Sequence, residues 1–525
     1  MITLLDYGAG NVRSVINALE KLGEAVRVAR TGDDIRGAER LVFPGVGSFG
    51  SMMDELERKG FVAPLREYLA ADRPFLGICL GLQALFETSE EAPGVRGLGV
   101  FRGVVRRFDV DRSVPHIGWN GVHRHQPSAL LAGLDGSEKL YFVHSFHVVP
   151  EDDAIVLTTT DYGYRFVSAV QRGRLVATQF HPEKSGQVGL RILDNFLGSS
   201  RGVAEPTPPE PPTRLAKRII ACLDVRANDA GDLVVTKGDQ YDVREAGEVR
   251  NLGKPVELAR RYYEEGADEI AFLNITGFRQ FPLRDLPMLE VLKRTSRDVF
   301  VPLTIGGGIR DYTDENGRHY GALEVAGEYF RSGADKISIG SDAVAIAEAY
   351  LRTGKSSGRS AIERIAQVYG NQAVVISIDP RRVYVASPQA APPRVRTIET
   401  EIPGPNGERH CWYECTIRGG REGRPIDAIT LAQVCEKLGA GEILLNCIDR
   451  DGTNAGFDIE LVDAVRRGVT IPVIASSGAG SPAHFSEVFT RTDVESALAA
   501  GIFHRREVPI QAVKQHLAGR VEIRR

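Results

Sequence analysis

Residues 214–525 contain two related halves. Three segments of the first half recur in the second: 222–224 as 377–379, 266–270 as 439–443, and 301–308 as 471–478. Self-similarity over such a distance is typical of a fold that repeats one supersecondary unit. The repeat therefore favours an architecture made of two equivalent half-domains.

Short Val/Ile/Leu-rich segments alternate with helical patterns over the same residues. The predicted strands are 219–224, 269–274, 301–305, 336–339, 373–379, 442–448, 471–475 and 497–500. Eight strands with intervening helices predict a closed (β/α)8 barrel, here with a half-barrel repeat.

Active sites of such barrels lie at the carboxyl ends of the strands. Asp224 and Asp379 end the first and fifth predicted strands and should face each other across the mouth, where two carboxylates suit acid–base catalysis. Loop capping is the alternative role. The glycine-rich turns at 306–308 and 476–478 can hold phosphate on backbone N–H groups. Two such turns in symmetric positions predict a long substrate with a phosphate at each end.

Strands also alternate with helices in the first 200 residues, which predicts an open, largely parallel α/β sheet. The segment GICLG at 77–81 places Cys79 on a tight strand-to-helix turn between two glycines. Such a turn projects the thiol outward, and the following helix N-terminus favours thiolate. The alternative is a small buried cysteine.

The segment HPEKS follows a predicted strand at 176–180. His181 and Glu183 in it are a base and a carboxylate that can orient the base, as a cysteine nucleophile requires. They could instead ligate a metal, although no third ligand with suitable spacing follows, or be ordinary loop residues.

The linker at 199–213 is rich in proline and has no hydrophobic period, which predicts an extended spacer. It separates predicted domains at 1–198 and 214–525. The segment 384–425 is longer than an ordinary βα loop and is expected to form a hairpin. Cys411 and Cys415 within it could suggest a metal site, but without a second pair they are interpreted as structural.

The composition is that of a soluble globular protein, with 42% hydrophobic residues, 26% charged residues and a net charge of −4. It implies no general affinity for nucleic acid. The sequence has no apolar run of about 20 residues and no recognisable leader segment. Six scattered cysteines argue against a disulfide framework, so we expect a reducing, cytoplasmic setting without membrane contact.

Residues 1–198 resemble the class I glutamine amidotransferases in GICLG and HPE, and the glutaminase of the imidazole glycerol phosphate synthases in PGVGSFG, PHIGWN and YFVHSF. The resemblance implies Cys79 as nucleophile, His181 as base and Glu183 as its orienting carboxylate. It further implies a glutamine site at Gly45, Val46, Gly47, Gln83 and Ser145. Ser48 in PGVGSFG stands where the family resemblance leads us to expect an aromatic residue or histidine. This difference affects any role of the side chain at position 48 but not the role of the backbone at Gly45–Gly47.

The second part resembles the cyclase of the same family in ACLDV, VTKGDQYD, LTIGGGI, ISIDP, LLNCIDRDGT and VIASSGAG. The resemblance implies that Asp224 and Asp379 are the general acid and base. The substrate-binding residues that it implies are Lys237, Gly306, Gly307, Asp451, Gly452, Ser476, Gly478 and Gly501.

The resemblance implies an enzyme of L-histidine biosynthesis that hydrolyses glutamine and channels ammonia to the barrel. There a phosphoribulosyl-formimino-aminoimidazole carboxamide ribonucleotide becomes imidazole glycerol phosphate and aminoimidazole carboxamide ribonucleotide. The partners expected are these small molecules and the contact between the two parts of the chain, with no metal or cofactor. The alternatives are another glutamine-dependent synthase for a bis-phosphorylated substrate, or a non-catalytic scaffold.

Four charged residues begin four of the predicted barrel strands: Arg218, Glu269, Lys336 and Glu442. Strand starts lie at the amino-terminal face of a barrel, where these side chains can close into a salt-bridged ring. A stabilising plug is one interpretation of such a ring. The family resemblance places the glutaminase against this face, which predicts that the ring gates ammonia.

Overall fold

The computed structural model describes residues 1–8, 10–199, 202–227, 233–236, 244–245, 248–249, 252–275 and 283–525. Within these residues no helix is both long enough and apolar enough to span a bilayer. The strands and helices fall into two groups along the chain, one on each side of the proline-rich stretch, and each group builds its own main sheet.

The first group is an α/β layer structure. Its strands are β1 (Ile2–Leu4), β2 (Val26–Val28), β3 (Leu41–Gly45), β4 (Phe75–Cys79), β5 (Thr88–Ser89), β6 (Gly103–Arg107), β7 (His116–Asn120), β8 (His123–Arg124), β9 (Leu140–His144), β10 (Phe146–Pro150), β11 (Val156–Tyr162), β12 (Tyr164–Arg172) and β13 (Leu175–Thr178). Its helices are α1 (Val12–Lys21), α2 (Gly32–Arg36), α3 (Phe49–Arg58), α4 (Val62–Ala70), α5 (Leu80–Gln83) and α6 (Gly186–Asp194).

The main sheet of this part is parallel in one half and antiparallel in the other. Strands β2, β1, β3, β4 and β13 are parallel neighbours, and β12, β10 and β6 continue the sheet, with β13–β12, β12–β10 and β10–β6 all antiparallel. Strand β4 is buried throughout because it lies between β3 and β13. The parallel sheet that the sequence predicts is therefore confirmed for the half that carries Cys79.

The second group forms the barrel. Its strands are β14 (Arg218–Ala227), β15 (Leu233–Thr236), β16 (Arg244–Glu245), β17 (Glu248–Val249), β18 (Glu269–Asn274), β19 (Leu303–Gly306), β20 (Tyr312–Thr313), β21 (His319–Tyr320), β22 (Lys336–Ile339), β23 (Val374–Ile378), β24 (Pro380–Val385), β25 (Ile398–Glu399), β26 (His410–Ile417), β27 (Glu422–Asp427), β28 (Glu442–Asn446), β29 (Val473–Ser476) and β30 (Ser496–Ala499). Its helices are α7 (Pro255–Glu264), α8 (Pro287–Thr295), α9 (Ala322–Arg331), α10 (Ser341–Thr353), α11 (Ala361–Tyr369), α12 (Ala428–Lys437), α13 (Ile459–Gly468), α14 (Pro482–Arg491), α15 (Gly501–His504) and α16 (Ile510–Leu517).

Eight parallel strands close the barrel in the order β14, β18, β19, β22, β23, β28, β29 and β30, and β30 pairs with β14. Side chains alternate along each strand, as the pleat requires. On β14, Ile220 and Cys222 belong to the small cluster that fills the barrel, whereas Ile219, Ala221 and Leu223 pack in the large cluster under the helices. The predicted (β/α)8 barrel is confirmed.

The proline-rich linker is packed against the first part of the chain. The Thr207 hydroxyl accepts a hydrogen bond from the Arg124 N–H at 2.8 Å, and the Pro209 carbonyl accepts one from Arg165 at 2.8 Å. Thr213 and Asp161 exchange two further bonds between backbone N–H and side-chain oxygen. Residues 207–213 are thus an extended strap fixed along β8, β11 and β12 rather than a spacer that stands free of the domain.

The two parts meet at the amino-terminal face of the barrel. Lys184 pairs with Asp335 at 2.6 Å, and the Asn11 side chain donates to the same carboxylate at 2.8 Å. Trp119 donates its indole N–H to the Asp268 carbonyl at 3.1 Å. These contacts hold the sheet edge that carries Cys79 over the start of the barrel strands.

The inserted segment at 384–425 is more than the hairpin that its sequence predicts. Strands β24, β26, β25 and β27 form a small antiparallel sheet. Arg382 holds this sheet to the barrel, because its guanidinium lies 2.8 Å from Asp458 and 2.9 Å from Glu460 while its side chain is only 6% exposed. The buried charge is therefore compensated by two carboxylates.

Replacement of Arg382 by Ala should cost about 3–5 kcal/mol of barrel stability, because it leaves the buried carboxylate of Asp458 without its cation. The neighbouring Arg381→Ala variant is the matched control. Arg381 pairs with Glu414 but is 43% exposed, so its loss should cost about 0.2–1 kcal/mol. Urea denaturation followed by tryptophan fluorescence measures both, since Trp412 lies in β26. Equal losses for the two variants would contradict the anchoring role.

Candidate functional site

Cys79 occupies the strained backbone position that the turn between β4 and α5 requires. Its φ is 52° and its ψ is −103°, a conformation that is costly for a residue with a side chain. Gly81 permits the close approach of β3, because a Cβ there would lie 2.1 Å from the Phe43 carbonyl oxygen. Helix α5 covers only four residues. The geometry is that of a nucleophile held at the end of a buried parallel strand.

His181 and Glu183 form the pair that the sequence predicts. His181 Nδ1 lies 2.8 Å from Glu183 Oε1, and both side chains are buried. His181 Nε2 has no hydrogen-bond partner among the described residues. Burial disfavours the imidazolium, but the carboxylate of Glu183 and the sulfur of Cys79 outweigh it and raise the pKa of His181 well above its usual range. The arrangement favours transfer of a proton from sulfur to imidazole.

A small cavity of about 40 Å³ opens beside Cys79 and His181. The residues that the family resemblance places at the glutamine site all line it: Gly45, Val46, Gly47, Gln83 and Ser145. Asp335 and Lys336 of the barrel line the same cavity. The structure therefore brings residues of both parts of the chain to one space.

Tyr7 is a residue of this site that the sequence does not reveal. Its hydroxyl accepts a hydrogen bond from the Val46 N–H at 3.1 Å and donates one to the Val46 carbonyl at 2.6 Å. The N–H of Val46 is thus engaged by Tyr7 in this structure. The contact between Tyr7 and Val46 is visible only in the fold, because the loop after β1 and the turn after β3 meet at the same sheet edge.

Glu91 is a second such residue. It lines the cavity and accepts a hydrogen bond from the Phe49 N–H at 2.8 Å. Burial raises the pKa of Glu91 to about 7. A carboxylate in this position can hold a cationic group of a small ligand. No motif or spacing around Glu91 marks it in the sequence.

The four charged strand starts form a closed ring, as predicted. Arg218 lies 2.7 Å from Glu269, Lys336 lies 2.7 Å from Glu269 and 2.6 Å from Glu442, and Arg218 also pairs with Glu442. All four side chains are at most 1% exposed. Lys336 belongs both to this ring and to the lining of the Cys79 cavity.

A larger cavity of about 710 Å³ lies at the opposite end of the barrel, and Asp224 and Asp379 both line it. Burial raises the pKa of Asp379, although a hydrogen bond from Asn446 Nδ2 at 2.8 Å opposes the shift. Two carboxylates therefore share one mouth of the barrel. The raised pKa of Asp379 favours proton exchange by this carboxyl.

The predicted phosphate turns lie at this mouth. Gly307 has a φ of 91°, and a Cβ there would lie 2.1 Å from the carbonyl oxygen of Asn274. Gly478 has a φ of 95°, and a Cβ there would lie 2.2 Å from the carbonyl oxygen of Gly456. The predicted residues line two adjoining cavities. Gly306 and Gly307 line the larger one; Gly452, Gly478 and Gly501 line a neighbour of about 110 Å³; Asp451 and Ser476 line both. Lys237 lies outside the described residues.

Comparisons with known proteins agree with this architecture. Residues 3–199 match the family model described as glutamine amidotransferase class-I, and residues 218–509 match the model described as histidine biosynthesis protein. The fold and sites thus define a glutamine amidotransferase joined to a cyclase barrel, which makes the chain an enzyme.

Curated relatives carry both parts in one chain. The chain is 59% identical to the chloroplastic imidazole glycerol phosphate synthase hisHF of Arabidopsis thaliana, over 100% of this chain and 89% of that protein. It is 56% identical to the imidazole glycerol phosphate synthase hisHF of Schizosaccharomyces pombe, over 99% of this chain and 98% of that protein. The chain belongs to the imidazole glycerol phosphate synthase family.

Alkylation should single out Cys79. All six cysteines are buried, but Cys79 lies in the cavity beside His181. Burial raises the pKa of each of the other thiols: Cys222, Cys411, Cys415, Cys435 and Cys447. Iodoacetamide near neutral pH should therefore add one group per chain, on the cysteine that faces His181. Peptide mass spectrometry locates the group, and the Cys79→Ala variant is the blank. Equal labelling of a second cysteine would contradict the assignment.

Proposed function

We propose that residues 1–198 hydrolyse glutamine, that residues 199–213 fix this domain to the next, and that residues 214–525 use the released ammonia. Cys79 attacks the glutamine carboxamide and His181, oriented by Glu183, takes the thiol proton. Ammonia leaves, and water hydrolyses the thioester to glutamate. The buried 2.8 Å contact between His181 and Glu183 supports these roles.

The backbone of Gly45, Val46 and Gly47 would stabilise the oxyanion of this reaction. Because the Val46 N–H is engaged by Tyr7, that peptide has to rearrange before it can donate to an oxyanion. Gln83 and Ser145 would contact glutamine, and the Glu91 carboxylate would hold its α-ammonium group. The place of Glu91 in the same cavity as Cys79 supports this assignment.

The barrel would convert the phosphoribulosyl-formimino-aminoimidazole carboxamide ribonucleotide to imidazole glycerol phosphate and aminoimidazole carboxamide ribonucleotide. Asp224 and Asp379 would be the general acid and base. The two turns at Gly307 and Gly478 would each hold one phosphate, which the adjoining cavities beside them support. Gly306, Asp451, Gly452, Ser476 and Gly501 would complete the substrate site.

The observation that carries the proposal is the cavity that Cys79 and Lys336 line together. Ammonia released at the sulfur would enter the barrel through the ring of Arg218, Glu269, Lys336 and Glu442, which we propose as its gate. The barrel interior beyond the ring is lined by apolar residues such as Ile220 and Leu444. A neutral NH₃ molecule can cross such an interior more readily than an ammonium ion.

Variants of the two sites should separate the two reactions. Cys79→Ala should abolish turnover with glutamine but keep turnover with added ammonium salts at high pH, where free NH₃ reaches the barrel directly. Asp224→Asn and Asp379→Asn should lower cyclisation by about 10²–10⁴-fold with either nitrogen source. Assays of imidazole glycerol phosphate formed with glutamine and with ammonium salts measure the two activities of each variant. Loss of both activities in a folded Cys79→Ala variant would refute the two-site proposal.

Replacement of Lys336 by Leu should uncouple the sites, because the ring then lacks one of its two cations. The ratio of glutamate to imidazole glycerol phosphate should rise above one while ammonium-dependent cyclisation survives. The two products are quantified in one reaction mixture. A ratio that stays at one, with only a lower thermal midpoint, would make the ring a plug.

Glutamine binding should weaken at acidic pH. The pKa of Glu91 is raised to about 7, so the carboxyl is neutral below that pH and cannot pair with the α-ammonium group. The value of kcat/KM for glutamine, which reports the free enzyme, should fall as pH drops through about 7. Glu91→Gln should lower kcat/KM and remove this limb of the profile. The control is Glu90→Gln, at a half-exposed neighbour, which should keep the wild-type kcat/KM and the acidic limb of the profile. An unchanged profile in Glu91→Gln would contradict the role of Glu91 in binding the α-ammonium group.

A further inference from the structure

Gln179 is a further residue in contact with the sulfur of Cys79. It lies after β13, it is fully buried, and its Nε2 is 3.3 Å from Cys79 Sγ. Its Oε1 lies 3.3 Å from Gln83 Nε2, and Gln83 Nε2 lies 3.0 Å from the Phe146 carbonyl oxygen. These contacts form one chain of hydrogen bonds from a backbone carbonyl to the nucleophile.

The carbonyl of Phe146 determines the direction of this chain. A carbonyl oxygen can only accept, so the Gln83 atom beside it must be the amide nitrogen. That nitrogen also faces Gln179, so the Gln179 atom that meets it must be the oxygen. Gln179 therefore presents an N–H donor, and not an acceptor, to Cys79.

A second chain of contacts ends on the same carbonyl and holds it in place. His144 Nδ1 lies 2.7 Å from the Phe146 oxygen, and His116 Nδ1 lies 3.2 Å from His144 Nε2. Burial lowers the pKa of His144 to about 3 and that of His116 well below its usual range, so both rings are neutral. Each ring then has one donor and one acceptor nitrogen, which matches this order of partners.

We propose that Gln179 donates a hydrogen bond to the thiolate of Cys79 and stabilises the sulfur anion before it attacks and again when it leaves. The inference rests on the proposed glutaminase function. An N–H facing an anion makes a stronger hydrogen bond than one facing a neutral thiol. Gln83 acts on the sulfur through Gln179, whose amide it orients, and is therefore a positioning residue.

The hydrogen bond from Gln179 acts when the sulfur leaves the acyl group during hydrolysis of the thioester. A water oxygen bonds to the acyl carbon of the thioester, the water proton passes to His181, and the C–S bond breaks with its electron pair on sulfur. The negative charge then develops on the atom that Gln179 faces. The titratable groups around the sulfur include His181 with its partner Glu183, Glu91 and His144 in the lining of the same cavity, and Tyr7. Among the described residues, the side-chain amide of Gln179 bonds to Cys79 and Gln83.

The first test is the Gln179→Met variant, which keeps the side-chain length and removes the donor. Alkylation of Cys79 by iodoacetamide at neutral pH should slow by about 10- to 100-fold, the range for loss of a hydrogen bond to a charged group. The difference should narrow as pH rises, because hydroxide then removes the thiol proton in both proteins. The kcat for glutaminase should fall by a similar factor with little change in KM. A structural defect alone would not produce this pH-dependent difference.

Gln171→Met is the matched control. Gln171 lies on the adjacent strand β12 and accepts a hydrogen bond from Ser128 at 2.6 Å, so the same substitution there removes one amide without touching sulfur. It should alkylate and turn over like wild type. Ammonium-dependent cyclisation needs the barrel alone and reports only that the barrel is intact. Thermal unfolding followed by circular dichroism reports in every variant whether the glutaminase part is folded.

The Gln179→Glu variant provides a second test that preserves the side-chain shape and the contact with Gln83. It places an anionic oxygen against the sulfur, so neutral-pH alkylation should be slower than in wild type. Wild-type alkylation and kcat in both Gln179 variants would overturn the inference. If Cys79→Ala itself retained glutaminase activity, the proposed function would fail instead, so the two failures are distinguishable.

Discussion

Four buried charges lie at the start of the barrel strands, and one of them, Lys336, also lines the cavity beside Cys79. Arg218, Glu269, Lys336 and Glu442 are out of contact with solvent, and each charge in such a place is costly unless it is paired. The ring compensates them, since every carboxylate contacts both cations. Burial opposes the charge of Glu442, but Arg218 and Lys336 lower its pKa. Removal of one member would leave a net buried charge, so the ring is stable only as a complete set.

The position of the ring depends on how the two sheets meet. Cys79 ends β4 at the carboxyl edge of the parallel half-sheet, and Lys336 begins β22 at the amino-terminal face of the barrel. The pair of Lys184 with Asp335, next to Lys336 in the chain, holds these edges together. One junction therefore places the nucleophile, its histidine and the ring around one cavity, and places the Asp224/Asp379 mouth at the far end.

Features that depend on local pattern were predictable from the sequence. Glu269 and Lys336 begin their strands at the predicted residue, because each follows a turn and precedes a short segment rich in apolar residues. Cys79 is marked by its flanking glycines. Features that depend on which segments become neighbours were not predictable. Gln179 meets Cys79 only because β13 pairs with β4, and the strap formed by the linker, the four-stranded insertion, Tyr7 and Glu91 depend equally on long-range contacts.

We propose that nitrogen passes from Cys79 through the ring of Arg218, Glu269, Lys336 and Glu442 without mixing with bulk solvent. The direct measurement supplies amide-labelled glutamine together with a large excess of unlabelled ammonium at neutral pH, and determines the label in imidazole glycerol phosphate by mass spectrometry. If the nitrogen is channelled, the imidazole nitrogen that derives from glutamine keeps nearly the full label of the glutamine amide. Dilution of the label toward the bulk ammonium value in the wild-type protein would contradict it.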